Sequence, residues 1–96
     1  MHVISHKIVK DFYQKHSKAE EPLNRWYGII SKGAFNNFAE LKKLFPSADF
    51  VDGFIVFNVG GNNYRVITAI HFNTHKCYIR HVLTHEEYNL GKWKKG

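Results

Sequence analysis

Between Gly53 and His85 the chain has neither aspartate nor glutamate, although that stretch carries Arg65, Lys76, Arg80 and four histidines. A segment whose only charged groups are cationic or histidine sets up a positive potential with no carboxylate nearby to neutralise it. That favours a polyanion, and nucleic acid is the commonest one a small protein meets. Cysteine is nearly missing too: Cys77 stands alone, which excludes an internal disulfide framework and fits a reducing compartment. Within an apolar run, a lone cysteine reads as a small buried hydrophobe before it reads as a nucleophile. No apolar run approaches the roughly 20 residues needed to span a bilayer. The opening MHVISHKIVKDFYQK is too polar for a signal segment, so the expected location is the cytoplasm, with no membrane partner.

Other machinery is also lacking. No GxxxxGK[ST] loop is present, and Gly60-Gly61 closes a turn between two strand-like runs instead of opening a helix. The seven histidines are scattered, with no HxxxH or CxxC pair to suggest structural zinc. His81 and His85 are four apart, but across a strand end, so a metal site there is not expected. The serines occupy caps and turns without a nucleophile-elbow context.

What is present organises into one domain over residues 1–96, a length that supports a single core. Met1 to Ile4 alternates enough to begin a strand, and Ser5 reads as an N-cap. Ile8, Val9, Phe12, Tyr13 and His16 then fall at helical spacing. Ser17 to Glu20 has the pattern of a capping box, with Pro22 tolerated in the first turn. Leu23, Trp26, Tyr27 and Ile30 follow as a core-facing stripe, and Lys32-Gly33 ends that helix. Asn37 to Glu40 resembles a second box, opening a short helix with Phe38, Leu41 and Leu44 inward, and Pro46 stops it.

Past Pro46 the period changes to two. Runs near Phe54–Val59, 63–72 and 76–83 are rich in Val, Ile, Phe and Tyr. Gly60-Gly61-Asn62 and Asn73-Thr74-His75 separate them as turns, and Asp52-Gly53 marks a further turn before them. Helices first and sheet second predict an α+β domain. Its N-terminal helices pack on one face of a small antiparallel sheet, with a short helix at the C-terminus. Strict alternation places Tyr78, Arg80, Val82 and Thr84 on one side of the last strand, and Cys77, Ile79, His81 and Leu83 on the other. In the middle strand it separates Arg65, Ile67, Ala69 and His71 from Tyr64, Val66, Thr68 and Ile70. Either arginine can therefore lie on the open face, as a snorkelling sheet residue or as a phosphate ligand. The final KWKKG reads as a mobile basic tail, with Trp93 packing locally.

Chemistry concentrates in Thr84-His85-Glu86-Glu87-Tyr88, where a strand runs into a helical turn. Cutting RNA through its 2′-hydroxyl needs a base for that hydroxyl, an acid for the 5′-oxygen and cations for the phosphorane charge. His85, Tyr88 or Glu87 can handle protons; Arg65, Arg80 and Lys76 can handle charge. The competing reading is structural, with Thr84 capping a terminal helix, Glu87 as its partner and Tyr88 packed.

Taken in order, AEEPLNRWYGIISKGAFNNFAELKKLFPSADFV, VFNVGGNNYRVI and CYIRHVLTHEEYN resemble the HigB toxins of bacterial type II toxin–antitoxin systems. The resemblance covers essentially the whole chain. It implies a RelE-like fold and an endoribonuclease that cuts mRNA on the ribosome, inhibits translation, needs no metal and leaves a 2′,3′-cyclic phosphate. It also implies a HigA-type antitoxin with a helix-turn-helix domain, so that DNA is met only through that partner. Asn58, Gly60, Gly61, Asn62, Tyr64 and Arg65 match the family's NxGGNxYR block; Tyr78, Ile79, Arg80, Thr84, His85, Glu87 and Tyr88 match its YIRxxxTHxEYD block. Two positions depart: Asn89 stands where Asp is usual, and Leu83 where Gly is frequent. On this resemblance Arg65, Arg80, His85 and Tyr88 are the expected catalytic residues and Asn62 and Glu87 expected RNA contacts; Lys76, outside the matched blocks but cationic and near the hairpin, is expected to touch backbone phosphate. The alternatives are a non-catalytic RNA-binding domain, stacking bases on Phe54, Phe57, Tyr64, Phe72 and Tyr78, and an inactivated toxin that only binds its antitoxin.

Overall fold

A computed structural model describes residues 1–95. In chain order the elements are β1 (His2–Ile4), α1 (His6–Lys15), α2 (Glu20–Lys32), α3 (Phe38–Leu44), β2 (Asp49–Val51), β3 (Phe54–Val59), β4 (Tyr64–His71), β5 (Lys76–Thr84) and α4 (His85–Leu90). Short 3-10 turns occupy Ser17–Ala19, Phe72–Thr74 and Lys92–Lys95. The strands form one sheet in the order β1-β5-β4-β3-β2.

The α+β expectation holds, with two corrections to the meander. First, β1 runs parallel to β5, pairing Val3 with Cys77, so the sheet is mixed. Three helices lie between β1 and β2 in sequence, long enough to carry the chain from one sheet edge to the other. Second, β2 is an additional edge strand, paired antiparallel to β3 through Phe50 and Ile55. Asp52 and Gly53 both adopt positive φ (51° and 84°), the backbone of a two-residue hairpin turn. The Asp-Gly pair was legible as a turn, but the three residues before it were too few to show a period.

The caps divide in the same way. Asn37 accepts from the Glu40 N–H at 2.9 Å, and Glu40 reaches back to the N–H of Asn36 at 3.0 Å. Ser5 stands at the cap of α1 in the left-handed region (φ 74°) without a side-chain cap bond. No capping box forms at Ser17, because residues 17–19 coil into a 3-10 turn and α2 starts at Glu20 with Ala19 before it. Gly33 does end α2, but in an extended conformation, and what requires glycine there is the Phe35 ring, which a Cβ would approach to 2.3 Å.

Leu23, Trp26 and Ile30 of α2, Val9 of α1 and Leu41 of α3 are buried against one face of the sheet. That face presents Ile55, Phe57 and Val59 of β3, Val66 of β4, and Cys77, Ile79 and Val82 of β5. Leu44, expected inward, is 61% exposed. Ile79 and Val82 are three apart, so strict alternation cannot put both on one face. The register explains it: Ile67 pairs with His81 and Thr68 with Ile79, leaving Arg80 as the extra residue of a β-bulge. The bulge flips the phase of β5. Val82 and Thr84 therefore move to the helix side with Ile79, and His81 and Leu83 to the opposite side, reversing the expected faces beyond Arg80.

Candidate functional site

The sheet face away from the helices carries a smaller apolar patch: Val56 and Ile67, with Leu83, Phe54 and Val51 around them. The chain's C-terminal segment covers it. Gly91 ends α4 with a left-handed backbone (φ 72°), and Trp93 then turns back onto the patch, where it is 6% exposed. The expected mobile tail is thus docked through Trp93; only Gly96 lies outside the described residues.

Thr84 and Glu87 form the capping box that opens α4. Glu87 donates its N–H to Thr84 Oγ1 at 3.1 Å, and its carboxylate accepts from the Thr84 N–H at 2.9 Å. The structural reading of this pair is correct, and the Glu87 carboxylate is engaged with the Thr84 backbone. A second tie comes from the turn after β3, where the Asn63 carbonyl accepts the His85 N–H at 2.9 Å. That turn depends on Gly60 and Gly61, whose φ values of 65° and 68° are open to few other residues.

Arg65 sits at the centre. It is only 7% exposed, and Nη1 donates to the carbonyls of Asn62 and Tyr64, each at 3.1 Å. Its Nη2 lies 3.1 Å from His85 Nδ1, and the guanidinium lies 5.5 Å from the centre of the Tyr88 ring. His85 Nε2 is 3.2 Å from the Asn89 side-chain amide. An arginine only donates, so Nδ1 accepts and the ring proton sits on Nε2. The Asn89 atom placed there is Nδ2, so a hydrogen bond from protonated Nε2 requires the flipped amide, which brings Oδ1 to the same place at equal shape. Arg65, His85, Tyr88 and Asn89 thereby converge, although they come from β4 and α4.

Arg80 lies apart. As the bulged residue it is exposed, and its guanidinium lies 5.6 Å from the centre of the Phe54 ring. Its level on the sheet is between two and three residues from Arg65, about 10 Å across and along the strands at usual spacings. Neither of the two ion pairs among the described residues involves Arg65 or Arg80. The two arginines are linked through rings: Phe54 meets Trp93 edge-on at 6.2 Å, and Trp93 stacks on Tyr88 at 5.3 Å. Lys76 pairs with His71 at the far end of the strands, about 20 Å from Arg65 by the rise of six residues. Asn62 is exposed in the turn and enters the site through its carbonyl.

Cys77 is fully buried, and burial pushes its thiol up to about 12, leaving no thiolate near neutrality. The aromatics proposed for base stacking are mostly committed elsewhere, with Phe57 buried in the main core and Tyr64 and Phe72 packed against it. One contributor was not assigned a role from sequence, Trp93; a hydrogen bond from position 89 that orients His85 was an expectation, and Asn89 makes that contact. Asn89 is four residues from His85 on a helix, a spacing that brings the pair together. Trp93 gave no signal, because its place depends on a turn after the helix.

A profile of the HigB toxin family, described as the RelE-like toxic component of a toxin-antitoxin system, matches residues 19–91. The chain is 42% identical over 93 residues to the mRNA interferase toxin HigB of Escherichia coli strain K12, covering 94% of this chain and 89% of that protein. The mRNA interferase HigB of Shigella flexneri is equally similar at 42%. That of Escherichia coli O6:H1 is 30% identical over 92 residues, covering 93% of this chain and 89% of the relative. The chain belongs to the HigB family of RelE-like toxins and so has an antitoxin as its partner.

Proposed function

We propose that this toxin is an endoribonuclease that cuts mRNA on the ribosome and so inhibits translation. The observation that carries this reading is the convergence of Arg65, His85 and Tyr88 at the end of a cationic sheet face, in a chain whose relatives are named mRNA interferases. In the reaction, the 2′-oxygen attacks phosphorus and the bond to the 5′-oxygen breaks. This gives a 2′,3′-cyclic phosphate and a 5′-hydroxyl. One proton leaves the 2′-hydroxyl and one reaches the departing oxygen, and both transfers lie within the range of positioned imidazole and phenol groups.

At rest, Arg65 occupies the Nδ1 lone pair of His85. A scissile phosphate is a stronger, charge-assisted acceptor for the guanidinium than an imidazole is. Binding RNA would therefore draw Arg65 onto the phosphate and leave Nδ1 bare to take the 2′-hydroxyl proton. Tyr88, beside Arg65, would protonate the leaving oxygen. Exposed Arg80 would hold a phosphate, while Asn62 and distant Lys76 would contact the RNA backbone. Glu87 would act through the helix cap. The reaction assigns no step to a metal. Its setting would be the cytoplasm; no helix among the described residues is long and apolar enough to cross a membrane. The partner would be a HigA-type helix-turn-helix antitoxin, giving the toxin only indirect contact with DNA.

The test is tightly controlled expression of this chain with and without its antitoxin, with mRNA 5′ ends mapped by primer extension. Growth arrest with new mRNA ends, relieved by the antitoxin and lost in Arg80→Ala, is the expected outcome. Normal growth and intact mRNA despite soluble toxin would turn the assignment toward a non-catalytic RNA- or antitoxin-binding protein. A fully toxic Arg80→Ala would remove Arg80 from the site.

A further inference from the structure

Trp93 lies two residues past the segment that the family profile matches, yet it touches Tyr88 and Phe54, the rings against which Arg65 and Arg80 lie. Its indole stacks nearly parallel on Tyr88 (5.3 Å, 14°) and meets Phe54 edge-on (6.2 Å, 70°). Nε1 donates to the Tyr88 carbonyl at 3.2 Å. The ring joins Val56 and Ile67 in the apolar cluster of that sheet face. Lys94 lies 5.7 Å from the ring centre, its ammonium 3.8 Å from the Asp52 carboxylate in the β2–β3 turn. Each ring that Trp93 contacts carries an arginine: Tyr88 lies against Arg65 at 5.5 Å and Phe54 against Arg80 at 5.6 Å.

Apart from Trp93, the helix bearing His85 is held at its first turn, by the His85 N–H bond to the Asn63 carbonyl, the Arg65–His85 contact and the cap. It is six residues long, and an isolated helix of that length is not stable in water. None of its residues is buried, and Leu90 is 69% exposed. Its capping box fixes the first turn only. Tyr88, stacked on Trp93 and 5.5 Å from the Arg65 guanidinium, is the α4 side chain packed against the apolar patch of the sheet.

We infer that Trp93 is a positioning residue for RNA cleavage, fixing Tyr88 and the His85 helix at one end and Phe54 beneath Arg80 at the other. The inference rests on the interferase reading above. One indole between the two arginine-bearing rings sets the separation at which a strand of RNA would meet Arg65 and Arg80. Reaction geometry is intolerant of such errors, a misplacement of about 1 Å costing on the order of 100-fold in rate.

The experiment compares the full chain with Trp93→Ala, Trp93→Leu and Trp93→Phe, each purified with its antitoxin and then released. Cleavage of ribosome-bound mRNA gives kcat and KM, and antitoxin affinity reports whether the fold is intact. Phe keeps an aromatic face for Tyr88, whereas Leu fills apolar volume without one. Expected are a kcat lowered roughly 10- to 100-fold in Trp93→Ala and Trp93→Leu, with KM changed far less, and near-complete rescue by Trp93→Phe. If Trp93→Ala fails to bind antitoxin, the Leu–Phe pair decides. Equal kcat in Leu, Phe and wild type would overturn the inference.

A second readout does not depend on activity. Acylation of His85 by diethyl pyrocarbonate, followed by mass spectrometry against exposed His75, should speed up several-fold in Trp93→Leu. Unchanged His85 reactivity would also overturn the inference. A wild type that leaves mRNA intact while His85 reactivity still responds to Trp93 would sink the interferase reading alone.

Discussion

The two faces of this sheet are built on opposite plans. The helix-covered face is broad and apolar at its centre except for Thr68, whose hydroxyl is bonded to the Ile55 carbonyl, and Phe57 is among its largest fully buried side chains. The other face has a narrow patch, Val56 and Ile67 under Trp93, rimmed by Arg65, Arg80 and the helix bearing His85. On the first, many side chains share the burial, and the chemistry-bearing groups are absent or silenced, as Cys77 is. On the second, the residues that close the patch also hold the site. Stability can therefore be altered on the first face without touching chemistry, whereas on the second the two are joined.

The largest effect that sharpens this contrast is on the first face. Phe57→Ala should destabilise the fold by about 3–5 kcal/mol, the range for deleting a buried aromatic, and remove antitoxin binding and toxicity together. Denaturant unfolding of the variant measures it, and a loss under 1 kcal/mol would mean that the face is not the main core. Arg80→Ala on the second face should do the reverse. Cleavage should fall on the order of 100-fold or more, while stability changes within about 0.5 kcal/mol, as for other exposed substitutions.

Thr84→Ala is intermediate. It removes the cap of α4, at a cost of about 1 kcal/mol, and should lower Tm by roughly 4–8 °C. A drop in kcat larger than that stability loss explains would tie the cap to His85; unchanged kcat would separate them. The effect that is smallest near neutral pH, and emerges only in base, concerns Cys77, whose folded pKa near 12 lies above the thiol's ordinary 9.0. Between these values the unfolded chain releases a proton that the folded chain keeps. The contribution of Cys77 to stability is thus complete below pH 9 and declines above it, by up to about 1.4 kcal/mol per pH unit. Subtracting the pH profile of Cys77→Ala isolates that slope. A flat difference between pH 9 and 10.5 would show that the thiol is reached by solvent.

The two faces were unequally legible in the sequence. Leu23, Trp26 and Ile30 announced their side by helical spacing, and β3 and β4 by alternation, because each pattern is complete within one element. β5 misled beyond Arg80, since a single unpaired residue shifts the phase and only its partner strand reveals it. Leu44 misled for a related reason: α3 has one inward position deep enough, and Leu41 fills it. Ser17 offered a capping pattern that the 3-10 turn made unusable.

Composition and local order alone determined the α+β succession, the hairpin turns, the acid-free strands and the blocks that tie the chain to its family, since all of these are written in neighbouring residues. Which arginine stands free and which is locked, and what holds His85, only the tertiary structure decided. Arg65 and Arg80 look alike in sequence, but one is held by the neighbouring carbonyls of Asn62 and Tyr64 and by an imidazole from α4, and the other is turned outward by a bulge. Trp93 reaches its place only after Gly91 reverses the chain. The contacts of Arg65 with His85, of Trp93 with Phe54 and of Phe54 with Arg80 join residues far apart in sequence, and no local pattern encodes the distance between them.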